Sequence, residues 1–208
     1  MSILLVFGDS ITWGAWDKKG GWAQRLKSFG DQKNLTEEAY DCQVYTLGVS
    51  GDTTEDVLER MEAETRARLG DSQIIMVFAI GLNDSQLSNN DARVPLEQFR
   101  ENLGMLAEKS KQFSSQIVFL GLTPVDDAKV NPIPWAPEKS YRNERVQKYN
   151  AMLRHFCEEE DLHFVELFES LTRENYTALL EDGVHPNTKG HEKLFDIVRD
   201  FLEKHKIL

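Results

Sequence analysis

The sequence predicts a parallel α/β fold. Five short apolar runs rich in Ile, Val and Phe alternate with longer amphipathic stretches, and glycine-containing turns follow the first three runs directly. At roughly 150 residues per domain, a chain of 208 residues is expected to form one domain over residues 1–208. Strand–helix alternation of this kind implies right-handed crossovers and a sheet covered on both faces. Ligands of such sheets bind beyond the carboxyl ends of the strands, so the residues after each run are the ones to inspect.

The first run, Ile3–Phe7, is too short for a helix and apolar throughout, as a buried strand requires. It leads into Gly8-Asp9-Ser10-Ile11-Thr12-Trp13-Gly14. A serine at a strand's carboxyl end, in a turn that begins with glycine, can project its hydroxyl into a site. Taken singly, the same turn reads equally well as a helix cap or a phosphate cradle. The second run, Val44–Val49, is followed by Ser50-Gly51-Asp52-Thr53-Thr54 and a helical stripe of Val57, Leu58, Met61, Thr65 and Leu69. Thr53 or Thr54 suits the cap of that helix, and Gly51 lets a backbone amide face a ligand at close range.

The third run, Ile74–Ile80, ends at Gly81-Leu82-Asn83-Asp84, a simple turn or a place where an Asn side chain points a donor at a reacting oxygen. The next stripe is Leu96, Phe99, Leu103, Leu106 and Phe113, before the fourth run, Ile117–Leu122. The connection that follows, residues 123–140, holds four of the six prolines together with Trp135, and its length marks a rigid surface excursion or a lid. Val146, Tyr149, Leu153 and Phe156 form the next stripe, Phe164–Phe168 the fifth run, and Leu194, Ile197, Val198, Phe201 and Leu202 the last helical face.

Before that last helix stands Asp182-Gly183-Val184-His185-Pro186-Asn187. Nucleophilic serine catalysis needs a neutral imidazole to take the hydroxyl proton and a carboxylate to fix the imidazole's tautomer and stabilise the cation that forms. Asp182 and His185, three residues apart in a glycine-containing turn stiffened by proline, supply both groups.

Charge narrows the partners. With 24 Lys and Arg against 35 Asp and Glu, the net charge is −11, a field that repels nucleic acid and anionic lipid surfaces. The substrate is therefore expected to be neutral or weakly charged at its reacting end. Every apolar run falls short of the roughly 20 residues that span a bilayer, and no basic segment precedes the first run. Two cysteines, Cys42 and Cys157, make no disulfide framework. An intracellular, reduced, cytoplasmic protein is expected. His155 and His191 fall on helical stripes, His163 opens a strand and His205 lies in the tail, so no metal or other cofactor is assigned.

The four turns together supply a nucleophile, a base, an orienting acid and donors for an oxyanion. In this order they resemble the blocks of the SGNH, or GDSL-type, esterase and lipase family. The blocks are Gly8-Asp9-Ser10 within Phe7 to Trp13, Gly51 within Ser50 to Thr53, Gly81-Leu82-Asn83-Asp84, and Asp182-Gly183-Val184-His185-Pro186. The resemblance implies a three-layer α/β/α sandwich whose five-stranded parallel sheet has flavodoxin-like order. It also implies Ser10 as nucleophile, His185 as base and Asp182 as its partner, with an oxyanion hole from the Ser10 and Gly51 amides and the Asn83 side chain. One departure is Thr46, where the family often has Asn; the position has no catalytic role there. The Gly-x-Ser-x-Gly elbow of α/β-hydrolases is absent.

The expected activity is hydrolysis of small carboxylic esters with short acyl chains, through an acyl-enzyme on Ser10. Carbohydrate deacetylation and thioester hydrolysis stay open within the family, and outside it a flavodoxin-like module binding phosphate or flavin through Ser10-Ile11-Thr12. Trp13 and Trp135 are candidate walls of the substrate pocket, and Trp16 and Trp22 also follow the serine closely.

Overall fold

The computed structural model describes residues 2–38, 40–173 and 175–208. Five strands form one parallel sheet: β1 (Ser2–Gly8), β2 (Cys42–Gly48), β3 (Gln73–Ala79), β6 (Gln116–Leu120) and β8 (His163–Val165), in the order β2-β1-β3-β6-β8. Taken as five consecutive strands this is the flavodoxin-like order. β1 and β3 lie at the centre with their side chains buried on both faces, which is why their sequences are unbroken apolar runs. Their register pairs Phe7 with Phe78, and Phe78 in turn lies opposite Phe119 of β6. The three rings stack across the sheet at 5.5 and 5.1 Å.

The long helices divide between the two faces. α2 (Gly21–Thr36) and α8 (Thr188–Lys204) pack on each other, while α3 (Thr54–Arg66), α4 (Leu96–Lys111) and α6 (Asn143–Glu159) pack in succession on the other side. The three expected layers are present. The stripes over α3, α4, α6 and α8 are buried at Val57 and Met61, at Phe99, Leu103 and Leu106, at Val146, Tyr149 and Leu153, and at Leu194, Val198 and Leu202.

Two differences from the sequence expectation have physical reasons. α2 buries Gly21, Trp22, Ala23, Leu26 and Gly30; small residues let it approach β2, where Gly30 faces Val44, and they leave only a faint apolar stripe in the sequence. The fifth run also stops early. β8 is an edge strand bonded only to β6 over three residue pairs, and the second half of the run, Leu167 and Phe168, is buried as the chain turns into α7 (Phe168–Thr172).

The remaining elements are short: α1 (Ser10–Trp13), α5 (Asp127–Val130), a 3-10 turn (Tyr176–Leu179), and the two-residue strands β4 (Leu87–Ser88), β5 (Asp91–Ala92) and β7 (Lys139–Ser140). The last three form a small antiparallel sheet in the order β5-β4-β7. It ties down the proline-rich connection, whose Tyr141 and Asp126 amides also donate to the Val130 and Gly183 carbonyls at 3.0 and 2.8 Å. The excursion thus braces the turn that carries Asp182 and His185.

Buried polar groups fix the strand ends. Arg60 of α3 donates to the Gly8 and Leu47 carbonyls at 3.2 and 2.9 Å and pairs with Asp52 at 2.8 Å. The Thr54 amide and hydroxyl donate to the buried Asp84 carboxylate, and Asn102 of α4 donates to the Thr54 hydroxyl at 2.8 Å. Burial pushes the Asp84 carboxyl up to about 6, so the folded chain keeps this proton at pH values where the unfolded chain has lost it. Stability contributed by that proton is complete below the unfolded value of 3.8 and is lost as pH rises through the folded one. Asp84→Asn cannot ionise, so its stability relative to the parent should increase by about 2–3 kcal/mol between pH 4 and pH 7. Denaturant melts of both proteins at the two pH values measure the difference.

Candidate active site

The first block folds as a strand that turns at once into a helix. Asp9 is the N-cap of α1 and its carboxylate accepts from the Ile11 amide at 2.9 Å. Ser10 is therefore the first helical residue, and its amide is one of the four at a helix start that have no intrahelical acceptor. The Ser10 hydroxyl lies 2.9 Å from Nε2 of His185, which the fold brings across from the turn before α8.

His185 Nδ1 lies 2.7 Å from Oδ2 of Asp182. The other carboxylate oxygen, Oδ1, accepts from the Val184 and His185 amides at 2.9 and 2.8 Å. These bonds to the charged form outweigh the cost of burial and hold the Asp182 carboxyl well below the usual carboxylate range. An ionised carboxylate only accepts, so the imidazole proton belongs on Nδ1 and Nε2 presents its lone pair to the Ser10 hydroxyl.

Asn83 and Gly51 meet beside this chain. Asn83 Nδ2 donates to the Asp52 carbonyl at 2.9 Å and lies 3.5 Å from the Asp9 carboxylate. Gly51, one residue before Asp52, has a φ of 88°, where side chains other than glycine are strained; a Cβ there would meet nothing within 4 Å. The glycine is thus required by backbone conformation, and the face it leaves bare is open to a ligand. Burial pushes the Asp9 carboxyl up to about 6.

Two further residues belong to the cluster that sequence reasoning did not assign to it. The buried Tyr141 donates to Asn83 Oδ1 at 2.7 Å. That bond fixes which end of the Asn83 amide carries the donors. Trp16 donates from Nε1 to Asp182 Oδ2 at 2.8 Å and sets its ring edge-on to the His185 imidazole at 6.1 Å. No local pattern announces either contact, because both partners lie far away in the chain. Trp22 is core. Trp13, at the end of α1, is exposed, as is Trp135 on the bend before β7; among the described residues neither makes a hydrogen bond or ring contact to Ser10, His185 or Asn83. His191 is buried and structural, accepting from the Trp22 amide and facing the Ala15 carbonyl.

The phosphate-cradle reading of Ser10-Ile11-Thr12 gives way here. The serine hydroxyl is engaged by an imidazole, and Thr12 is buried so closely against Gly8 that a Cβ on Gly8 would sit 2.2 Å from the Thr12 hydroxyl. Thr12 cannot face a phosphate.

Comparison with known proteins identifies the family. The model of the GDSL-like lipase/acylhydrolase family matches residues 6–193. The chain belongs to that family. Relatives include the isoamyl acetate-hydrolyzing esterase 1 homolog of Bos taurus, 24% identical over 217 residues, which cover 97% of this chain and 81% of the relative. Esterase TesA of Pseudomonas aeruginosa is 24% identical over 196 residues, 94% of this chain and 85% of the relative. Among solved structures, the lipase/acylhydrolase from Enterococcus faecalis superposes with a TM-score of 0.74 at 23% identity, covering 99% of this chain and 97% of the other. That likeness shows the shared fold. As a member of this family the chain is a hydrolase. Among the described residues no helix is long and apolar enough to cross a membrane.

Proposed function

We propose that residues 1–208 act as one domain that hydrolyses small carboxylic esters through an acyl-enzyme on Ser10. The observation that supports this most strongly is the unbroken chain from the Ser10 hydroxyl through His185 to Asp182, at 2.9 and 2.7 Å. In the proposed mechanism Oγ of Ser10 attacks the ester carbonyl carbon as Nε2 of His185 takes its proton. Asp182, ionised and fixed by two backbone amides, stabilises the imidazolium. The carbonyl oxygen becomes an oxyanion and receives hydrogen bonds from the Ser10 and Gly51 amides and from Asn83 Nδ2. His185 then returns the proton to the departing alkoxide as the carbon–oxygen bond breaks. Water enters, gives a proton to His185, attacks the acyl carbon and releases the acid, and Ser10 recovers its proton from His185.

A short acyl group is part of the proposal, and the relative named for isoamyl acetate hydrolysis supports it ahead of thioester or acetylated-sugar substrates. Trp13, exposed at the end of the helix that begins with Ser10, is proposed as a wall for the ester, with Trp135 as a second aromatic surface. A cytoplasmic location is part of the proposal, supported by two buried cysteines in the free thiol form. The test is a p-nitrophenyl ester series from acetate to decanoate, run with fluorophosphonate labelling. Expected are kcat/KM values highest at two to four acyl carbons and label on the peptide carrying Ser10. Label elsewhere, or none, overturns the mechanism, and a preference for decanoate overturns the acyl assignment.

A further inference from the structure

Trp16 combines features that folding alone does not require. It is 62% exposed, so its ring contributes little to the core, and its φ of 65° is an outlier for a bulky side chain. Such conformations persist only where the surroundings over-determine them.

The surroundings do so on both sides. Before Trp16, the Ala15 carbonyl faces the buried His191 imidazole at 3.2 Å. After it, Asp17 accepts from the Thr188 hydroxyl at 2.9 Å and the Gly21 amide at 3.0 Å, and pairs with Arg25. The neck of the loop is closed by Gly14 against Gly20, where a Cβ would fall 2.2 Å from the Gly20 oxygen. Arg25 and the Gly21 amide of α2 and Thr188 and His191 of α8 thus hold a loop that exposes the Trp16 indole beside Lys18 and Lys19. That indole donates to Asp182 Oδ2, the oxygen that also faces His185 Nδ1, and its ring stands perpendicular to the imidazole with centroids 6.1 Å apart.

Resting on the triad reading above, we propose that Trp16 is a positioning residue for the Asp182–His185 pair. Its indole N–H shares the carboxylate oxygen with the imidazole and so moderates how strongly the carboxylate stabilises the imidazolium. The fourth hydrogen bond completes the donors around Asp182 and fixes the carboxylate plane against the imidazole.

Trp16→Phe keeps an aromatic ring at this position and removes the N–H donor. With p-nitrophenyl acetate, kcat is expected to fall about tenfold with KM within twofold. An unchanged kcat, or a rise in KM alone, overturns the proposal. A second measurement needs no variant. Trp13 is also 62% exposed, and its indole N–H has no acceptor among the described residues, so it serves as an internal reference for hydrogen exchange. The Trp16 indole N–H should exchange at least tenfold more slowly than that of Trp13, and equal rates count against the hydrogen bond. Loss of activity in Ser10→Ala alongside an unaltered Trp16→Phe rejects this inference alone, whereas an active Ser10→Ala rejects the triad on which it rests.

Discussion

Ser10→Ala should lower kcat for p-nitrophenyl acetate by roughly 10⁵-fold or more and abolish fluorophosphonate labelling, with no loss of fold. In the proposed mechanism the substitution removes the one protein atom that bonds to the acyl carbon. His185 keeps its bond to Asp182 at 2.7 Å and its base is intact, but it faces a methyl group. Any residual rate comes from water attacking a carbonyl still polarised by the oxyanion donors. Asn83→Ala makes a useful contrast, since it spares the nucleophile and removes one donor, for an expected loss of about 10²–10³ in kcat. It also strands the buried Tyr141 hydroxyl, which donates to Asn83 at 2.7 Å. The ordering of the two losses is the test: activity in Ser10→Ala within tenfold of the parent excludes an acyl-enzyme at this residue.

What could be read from the sequence divides along physical lines. The three central runs were legible because parallel strands covered on both faces must be apolar at every position, and Leu4 to Phe7, Ile74 to Phe78 and Ile117 to Leu120 are. The end of β8 was not, since Leu167 and Phe168 are as apolar as a strand and are buried by a helix instead. α2 was faint because Gly21, Ala23 and Gly30 serve close packing, which periodicity scarcely registers. In the site, Ser10, Gly51, Asn83, Asp182 and His185 were visible because each occupies a turn at a strand end or before a helix, where the fold class predicts ligands. The contact of Tyr141 and that of Trp16, noted in the sequence only as an aromatic close after the serine, were invisible for the opposite reason. Each acts on a partner that only the folded chain supplies, Asn83 in one case and Asp182 in the other. The 123–140 connection, legible as an excursion, is held by β7 and by Asp126 against Gly183, which sets Tyr141 over Asn83.

Asp182→Asn tests the polarity of the whole hydrogen-bond chain with a change of one atom, and should lower kcat by about 10⁴ with little change in KM. The amide has two orientations, and the surrounding donors make both costly. Oδ1 faces the backbone N–H groups of Val184 and His185 at 2.9 and 2.8 Å, which have no freedom to become acceptors, so the amide oxygen must take that place. The NH₂ then occupies the Oδ2 position, where it donates to Nδ1 of His185 and confronts the indole N–H of Trp16, formerly a 2.8 Å hydrogen bond. Donation to Nδ1 drives the imidazole proton to Nε2, and a protonated Nε2 cannot accept from the Ser10 hydroxyl. The base is lost although every heavy atom stays in place. Turning the amide over restores the tautomer but sets an NH₂ against two backbone donors, a penalty of about 1–3 kcal/mol for each group left unpaired. The Trp16 donor adds to the conflict in the first orientation, which gives the prediction a second edge. Once Asp182 is Asn, Trp16→Phe removes a donor–donor contact instead of a hydrogen bond, so the double variant should be no slower than Asp182→Asn alone. Multiplicative losses would mean that Trp16 acts independently of Asp182, and a fall of less than about thirtyfold in Asp182→Asn itself would remove Asp182 from the proton path.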